Sequence, residues 1–521
     1  MSAKNEKLTS FDFIEISIFL SLIFLLFFCL FFYCLKVMPY SYGDTAFLIE
    51  IVDRLSKNLG PTSYILSQNV SVIALATVDI TSFCKEGLFA NLYTQVPFNW
   101  LTSLHAYLIL YPISIVAKYI GSINSLSVFH ALSFATIPAV VYSYMRLNNQ
   151  KIFISFLTTV LIMFHPTWLL SSTNQFYVDR FYPPFAIALS FLTYKLLNSK
   201  DQDNKLAILI FFTMLVGGSI SERAMAVSGI FLLFSGLIQK GTIKRKLSIL
   251  FFGLIALIYV FIYTHKIGGT PDNSRFFLNN YTLNSLINTF TYQGIGAYLF
   301  FNAFFFLITL ILNLRVALSI LPILLINCLV TVGGAEKDGW LTHYHSHYYG
   351  FLVAAFVISI THRNNQLIKK INLNYILLPL LALLYFGYHH YHYYNDSLYN
   401  KIKDVFIVSK DKSQFYANSG LIDKLLLNVP NNASTTSTEW GLPILYMRGN
   451  NVHSFPLNIG ISDYLILQFL TEKNSINSSV RFTNDNVSAD LCYTKMINKH
   501  YVLIQQEGTL GLFKKKLKNN E

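Results

Sequence analysis

Few side chains in this sequence carry charge. Only 12% of its 521 residues are Asp, Glu, Lys or Arg, where a water-soluble domain carries roughly 25%. With 53% of residues hydrophobic, that scarcity excludes an ordinary soluble enzyme. Cysteine is also sparse. Cys29, Cys34, Cys84, Cys328 and Cys492 are odd in number and have no metal-ligand spacing, which argues against a disulfide framework and a zinc site and leaves at most one Cys84–Cys492 bridge. No GxGxxG, P-loop, GxSxG or HExxH pattern stands out, so a nucleotide-using cytosolic catalytic domain is not indicated. Acids number 26 against 39 basic residues. The lysines lie in short segments between apolar runs and no nucleic-acid motif accompanies them, so membrane orientation explains the excess and nucleic acid is not an expected partner.

What is abundant is long apolar sequence. Runs at about 14–36, 124–145, 152–170, 181–197, 206–220, 224–239, 247–264, 295–313, 316–333, 347–361 and 374–391 predict eleven membrane spans. The first has no small-residue cleavage pattern before Pro39 and reads as a retained anchor. A further apolar stretch, 105–121, contains Pro112 and Lys118 and is expected to be a helix lying on the membrane surface. Counting it as a span would put most of the Lys/Arg-rich loops outside. Leaving it out places Arg146, Lys151, Lys195, Lys244, Arg245, Lys246, Arg315 and Lys369 inside, as the positive-inside rule demands. The N-terminus is then cytoplasmic, and a long first outer loop covers 38–123. Residues 395–521 are outside, with strand-like runs such as "DYLILQF", "HYVLIQQ" and "TLGLFKKK". The expected architecture is an α-helical polytopic membrane module, 1–394, followed by a small soluble α/β domain, 395–521. Sequons at Asn69, Asn280, Asn395, Asn432, Asn477 and Asn486 all fall outside.

Ionisable groups near the outer ends of spans carry the most information, because charge beside a bilayer is costly. Asp44, in "YGDTAF", follows the first span and opens an expected amphipathic helix with Phe47, Leu48, Ile51, Leu55 and Leu59 on one face. It suits an N-cap, and equally a general base or metal ligand. Asp179 with Arg180 and Glu222 with Arg223 read either as exposed pairs of little energetic worth or as site residues. Lys85 and Lys337 are further outer cations. His343, His345 and His347 alternate, so a strand would set all three on one side and a helix only His343 with His347.

One span, an acid at its outer end, a long outer loop, a second acid at the end of a later span, many further spans and an outer C-terminal domain: this layout resembles the GT-C superfamily of glycosyltransferases. "YGDTAF" resembles that family's first-loop acidic motif and "YVDRFYPPFAIAL" its second-acid segment. "YTQVPFNWLTSLHAYLI" is similar to its proline-containing juxtamembrane helix. A closer likeness is to a bacterial family of uncharacterised polytopic proteins related to GT-C. It covers most of the chain through "GDTAF", "HAYLILYP", "SERAMAV", "LPILLIN", "HYYGFLVA" and the tail "VPNNASTTSTEWGLP", "VHSFP", "DYLILQ" and "HYVLIQQEGTLGLFKK". Two departures stand out: no basic residue precedes Pro97, and the first acid is single.

The resemblance implies an inverting transfer of sugar from a polyprenyl-phosphate carrier to an envelope acceptor, on the outer face of a bacterial inner membrane. Asp44 would take the acceptor's proton, and Asp179 would bind the acceptor or share a divalent cation with Asp44. Arg223, Arg180, Lys85 and Lys337 would face the leaving phosphate, with Glu222 and His347 beside them. The competing expectation is a transporter or flippase of a lipid-linked precursor, since many spans alone do not separate the two.

Overall fold

The computed structural model describes residues 10–37, 43–68, 98–99, 105–173, 176–199, 204–267, 295–329, 345–362, 381–388, 423–438, 441–470, 475–476, 486–507 and 510–516. In chain order its elements begin with α1 (Ser10–Val37), α2 (Gly43–Ser56), β1 (Thr62–Ser63), β2 (Phe98–Asn99), α3 (Leu110–Ile120) and α4 (Ser122–Leu147). Next come α5 (Ile152–Met163), α6 (Pro166–Ser172), a 3-10 helix (Val178–Phe181), α7 (Pro183–Asn198), α8 (Asn204–Gly218), α9 (Glu222–Ile238) and α10 (Ile243–Ile262). Then follow α11 (Ile295–Leu312), α12 (Leu314–Leu329), α13 (His345–Thr361), β3 (Ser434–Ser437), α14 (Leu442–Met447) and β4 (Asn451–Ser454). The last are β5 (Tyr464–Leu470), β6 (Ser475–Ile476), α15 (Asn486–His500), β7 (Tyr501–Glu507) and β8 (Leu510–Lys515).

The chain is mostly helical, and every apolar run named above overlaps a helix, the last through 381–388. Among the described residues three helices are long and apolar enough to cross a membrane: Ile14–Lys36, Ser122–Leu147 and Ile243–His265. A fourth is added if the bent pair α5–α6 is one span. The other helices, as far as they are described, run to fewer than ~20 residues, the length of a typical crossing. The bend of 63° has a local cause. Pro166 has no N–H to continue α5, and His165 caps the new helix by accepting from the Thr167 amide at 3.2 Å. The Tyr349 hydroxyl takes up the Ile162 carbonyl at 2.8 Å.

Contacts group the chain into two compact units. One comprises Met1–Cys34, Leu104–Ile109 and Val128–Lys403, the other Leu35–Ser103, Leu110–Ser127 and Asp404–Glu521. The division expected from composition, 1–394 and 395–521, kept the first loop with the helical module, whereas by contacts α2 and α3 group with the C-terminal segment. In the helical unit α13 is the central element, buried from His345 to Ile360 and packed on α7, α11 and α12. Gly350 makes the closest approach possible: a Cβ there would lie 2.5 Å from the Pro183 carbonyl oxygen and 2.6 Å from the Ala186 Cβ.

In the second unit the strand order is β4-β3-β5-β8-β7, with β6 paired to β5. β3 is parallel to β4 and β5, while β8 is antiparallel to β5 and β7. The parallel pair β3–β4 is joined through α14, as a crossover requires. Gln68 covers the open edge of β4: its amide N–H donates to the Val452 carbonyl at 3.0 Å and its oxygen accepts from the Ser454 amide at 2.6 Å. A side-chain amide thus replaces a missing strand. The expected amphipathic helix differs from α2 as found. Thr45 to Asp53 are all buried, including Glu50. Glu50 is tolerated there because its carboxylate accepts from the Ser63 hydroxyl (2.5 Å) and the Tyr64 and Ile65 amides (2.9 and 3.0 Å). Burial nevertheless raises its pKa above the ordinary carboxylate value. Asp53 accepts from the Tyr446 hydroxyl at 2.9 Å.

The surface helix expected over 105–121 is shorter than that. The helix is Leu110–Ile120, with Pro112 in its first turn, where the missing N–H costs nothing, and Gly121 ends it at φ +84°. His105, Ala106 and Tyr107 lie before it, held by the tertiary contacts described next.

Candidate functional site

The helical unit holds a buried polar cluster where the 3-10 helix, α13, the start of α9 and segment 105–109 meet. The sequence builds it locally. Tyr182 and Pro183-Pro184 start α7, so the preceding residues turn in a single 3-10 coil that directs Asp179 and Arg180 into the protein, 0% and 1% exposed. The reading of these two as an exposed surface pair is thereby corrected. Asp179 Oδ1 is 3.1 Å from His347 Nε2, and its Oδ2 receives a longer contact of 3.4 Å from the Tyr107 hydroxyl. A carboxylate only accepts, so the imidazole Nε2 is the donor. The Arg180 guanidinium lies over the Tyr177 ring, 5.2 Å from its centre. An arginine stays protonated even when buried.

The second acid of the cluster is Glu222, at the first turn of α9 behind the N-cap Ser221. Its Oε1 is 2.6 Å from His105 Nδ1, and its Oε2 accepts from the Ala106 amide at 3.0 Å. Burial pushes the Glu222 pKa up, but the His105 imidazole, Arg223 and the Ala106 N–H outweigh it and hold the carboxyl at about 2. Of the two readings of Glu222 and Arg223, the exposed pair does not hold: Glu222 is buried and joined to His105, with Arg223 half-buried beside it. His105 stacks on Tyr107, ring centres 5.2 Å apart. One tripeptide, His105-Ala106-Tyr107, so joins Glu222 to Asp179.

The sequence reading singled out neither His105 nor Tyr107. A lone histidine and tyrosine ahead of a proline-bearing helix carry no spacing signal, and their partners are 117 and 72 residues away. The histidine alternation resolves as a helix. His347 turns to Asp179, while His345 turns to the Tyr348 hydroxyl, 2.9 Å from its Nδ1. His343 lies outside the described residues, as do Lys85, Lys337, Cys84 and the side chain of Cys492.

Asp44 is the second residue of α2, in the other unit, and its side chain lies outside the described residues. The cluster therefore brings together Asp179, Arg180 and His347, with Glu222 and Arg223 adjoining, out of the residues expected from sequence. Among the described residues no group of three or more His, Cys, Asp or Glu is arranged to hold a metal ion. The contacts described for the Asp179 oxygens are with an imidazole N–H and a hydroxyl, donors that stabilise the carboxylate. What the cluster can do is hold a carboxylate desolvated and oriented beside a guanidinium. No protein-family model matches the chain, and a search of curated proteins finds no match.

Proposed function

We propose that the chain is a membrane glycosyltransferase that moves a sugar from a polyprenyl-phosphate carrier to an envelope acceptor on the non-cytoplasmic face, with inversion. One observation carries this reading: Asp179 and Arg180 are buried in adjacent positions, the carboxylate held by His347 and Tyr107. Taking an acid and a base out of water costs several kcal/mol per ion, at roughly that magnitude even after relaxation. Sites that keep such a cost are disproportionately functional. In the proposed reaction Asp44 takes the acceptor's proton and Asp179 grips the acceptor hydroxyls. Arg180 and Arg223, with Lys85 and Lys337 from outside the described residues, stabilise the departing lipid phosphate. Eleven spans and a cytoplasmic N-terminus belong to the same proposal, through the loop charges given above.

A second reading, a transporter or flippase of a lipid-linked precursor, is favoured by the 63° break between α5 and α6, since broken helices mark transport sites. Mass spectrometry of envelope glycans and lipids separates them, in cells lacking the protein and rescued with wild type, Asp44→Asn or Asp179→Asn. The transferase predicts one glycoform missing from the null and from both variants, with the lipid-linked sugar accumulating outside. Identical profiles in all strains would sink it, and accumulation on the inner leaflet would favour transport.

A further inference from the structure

The helical unit has an apolar pocket of about 180 Å³ between α8, α9 and α10 that the proposed transfer does not use. Leu108, Met214, Met225, Ile255, Ala256 and Tyr259 form most of its wall. Its one hydroxyl-bearing aliphatic residue, Ser219, is turned away, donating to the Val216 carbonyl at 2.7 Å. Such a space does not hold water, which needs about 2–4 polar partners, and an apolar cavity of about 150 Å³ is known to take a benzene ring. The surroundings say what can enter. α10 belongs to Ile243–His265, one of the three membrane-length helices, and only 22% of that apolar window is buried inside the protein. Beside the pocket Phe212, Val216, Leu254, Ile258 and Phe261 point outward and are exposed.

We propose that this pocket holds the end of a bilayer phospholipid acyl chain. Its wall includes Leu108, one residue from Tyr107, whose hydroxyl reaches Asp179, so an occupant presses on the same short segment that joins Glu222 to Asp179. The site is separate from the buried cluster and stands whether or not the chain transfers sugar.

The test uses the full chain in phosphatidylcholine vesicles containing a phosphatidylcholine with a diazirine at the end of one acyl chain. After illumination, mass spectrometry maps the adducts. Met214, Met225 and Ala256 are buried, so a chain reaches them only by entering the pocket. Adducts on these three residues support the site. Adducts confined to outward-facing Phe212, Phe261 and α1 overturn it, and this comparison needs no variant. Leu215→Trp at the rim, or Leu215→Phe should the first fail to fold, fills the space. The adducts on Met225 then fall by about tenfold, equivalent to ~1.4 kcal/mol of lost occupancy, while those on Phe212 persist. Undiminished Met225 labelling in a folded, filled variant counts against the proposal.

Discussion

Asp179 is the residue on which the site turns, and its partner His347 is what makes its burial tolerable. Replacing His347 by Leu leaves the carboxylate without its 3.1 Å donor, at a cost of about 1–3 kcal/mol for an unsatisfied buried group. His347→Gln keeps an N–H in reach and should cost less. Thermal unfolding of the two variants in the same detergent measures this, and equal midpoints would contradict the assigned hydrogen bond. Glu222 yields a pH prediction. Its folded pKa, about 2, lies below the ordinary 4.5, so the folded protein favours the carboxylate. The stabilisation is complete above about pH 4.5 and is lost as the pH falls from there toward 2. The difference in unfolding midpoint between wild type and Glu222→Gln should be constant at neutral pH and shrink through that window. A difference that does not change with acidification would refute it.

Among elements, the contact of α13 with α7 decides whether the cluster exists. His347 sits one turn before Gly350, where the Pro183 backbone comes within 2.5 Å of a would-be Cβ. Backbone cannot yield as a flexible side chain would, so Gly350→Ala forces the helices apart. The cost is about 1–3 kcal/mol, as for overpacking, together with loss of the His347–Asp179 contact. The expected outcome is a lowered unfolding midpoint, and a failure to rescue a null strain even where the variant reaches the membrane. Full rescue at wild-type stability would show that the close approach is not required. Of this arrangement, the long helices were legible beforehand because each is a continuous apolar run, and the strands β5, β7 and β8 because they are short β-rich runs in an otherwise polar segment. The start of α3 was misread because apolar character continues through His105-Ala106-Tyr107, while the chain there is held by Glu222, far along the sequence.

For the whole molecule, the arrangement across a membrane is the testable matter. A reporter fused at Asn198, after α7, should read cytoplasmic, and one following Asn395 should read non-cytoplasmic. Reporters on the same side would overturn the loop-charge argument and with it the placement of Asp179 at the outer face. The grouping of α2 and α3 with the C-terminal sheet has its own consequence. Gln68 on the β4 edge and Tyr446 on Asp53 tie the first loop to the C-terminal segment, so the last 120 or so residues are bound into the chain's first third.

Composition and hydrophobic run length, both local properties, were enough to establish a helical, membrane-type chain with a small C-terminal sheet. They also marked Asp179, Arg180, Glu222, Arg223 and His347, because a charge or imidazole amid apolar sequence is conspicuous wherever it falls. Which of these meet, and through what, was decided only by tertiary structure. His347 reaches Asp179 across 168 residues and His105 reaches Glu222 across 117, and no spacing rule links positions so far apart. The burial of Glu50 was hidden for the same reason: whether a helix face meets water or protein depends on what the fold lays against it.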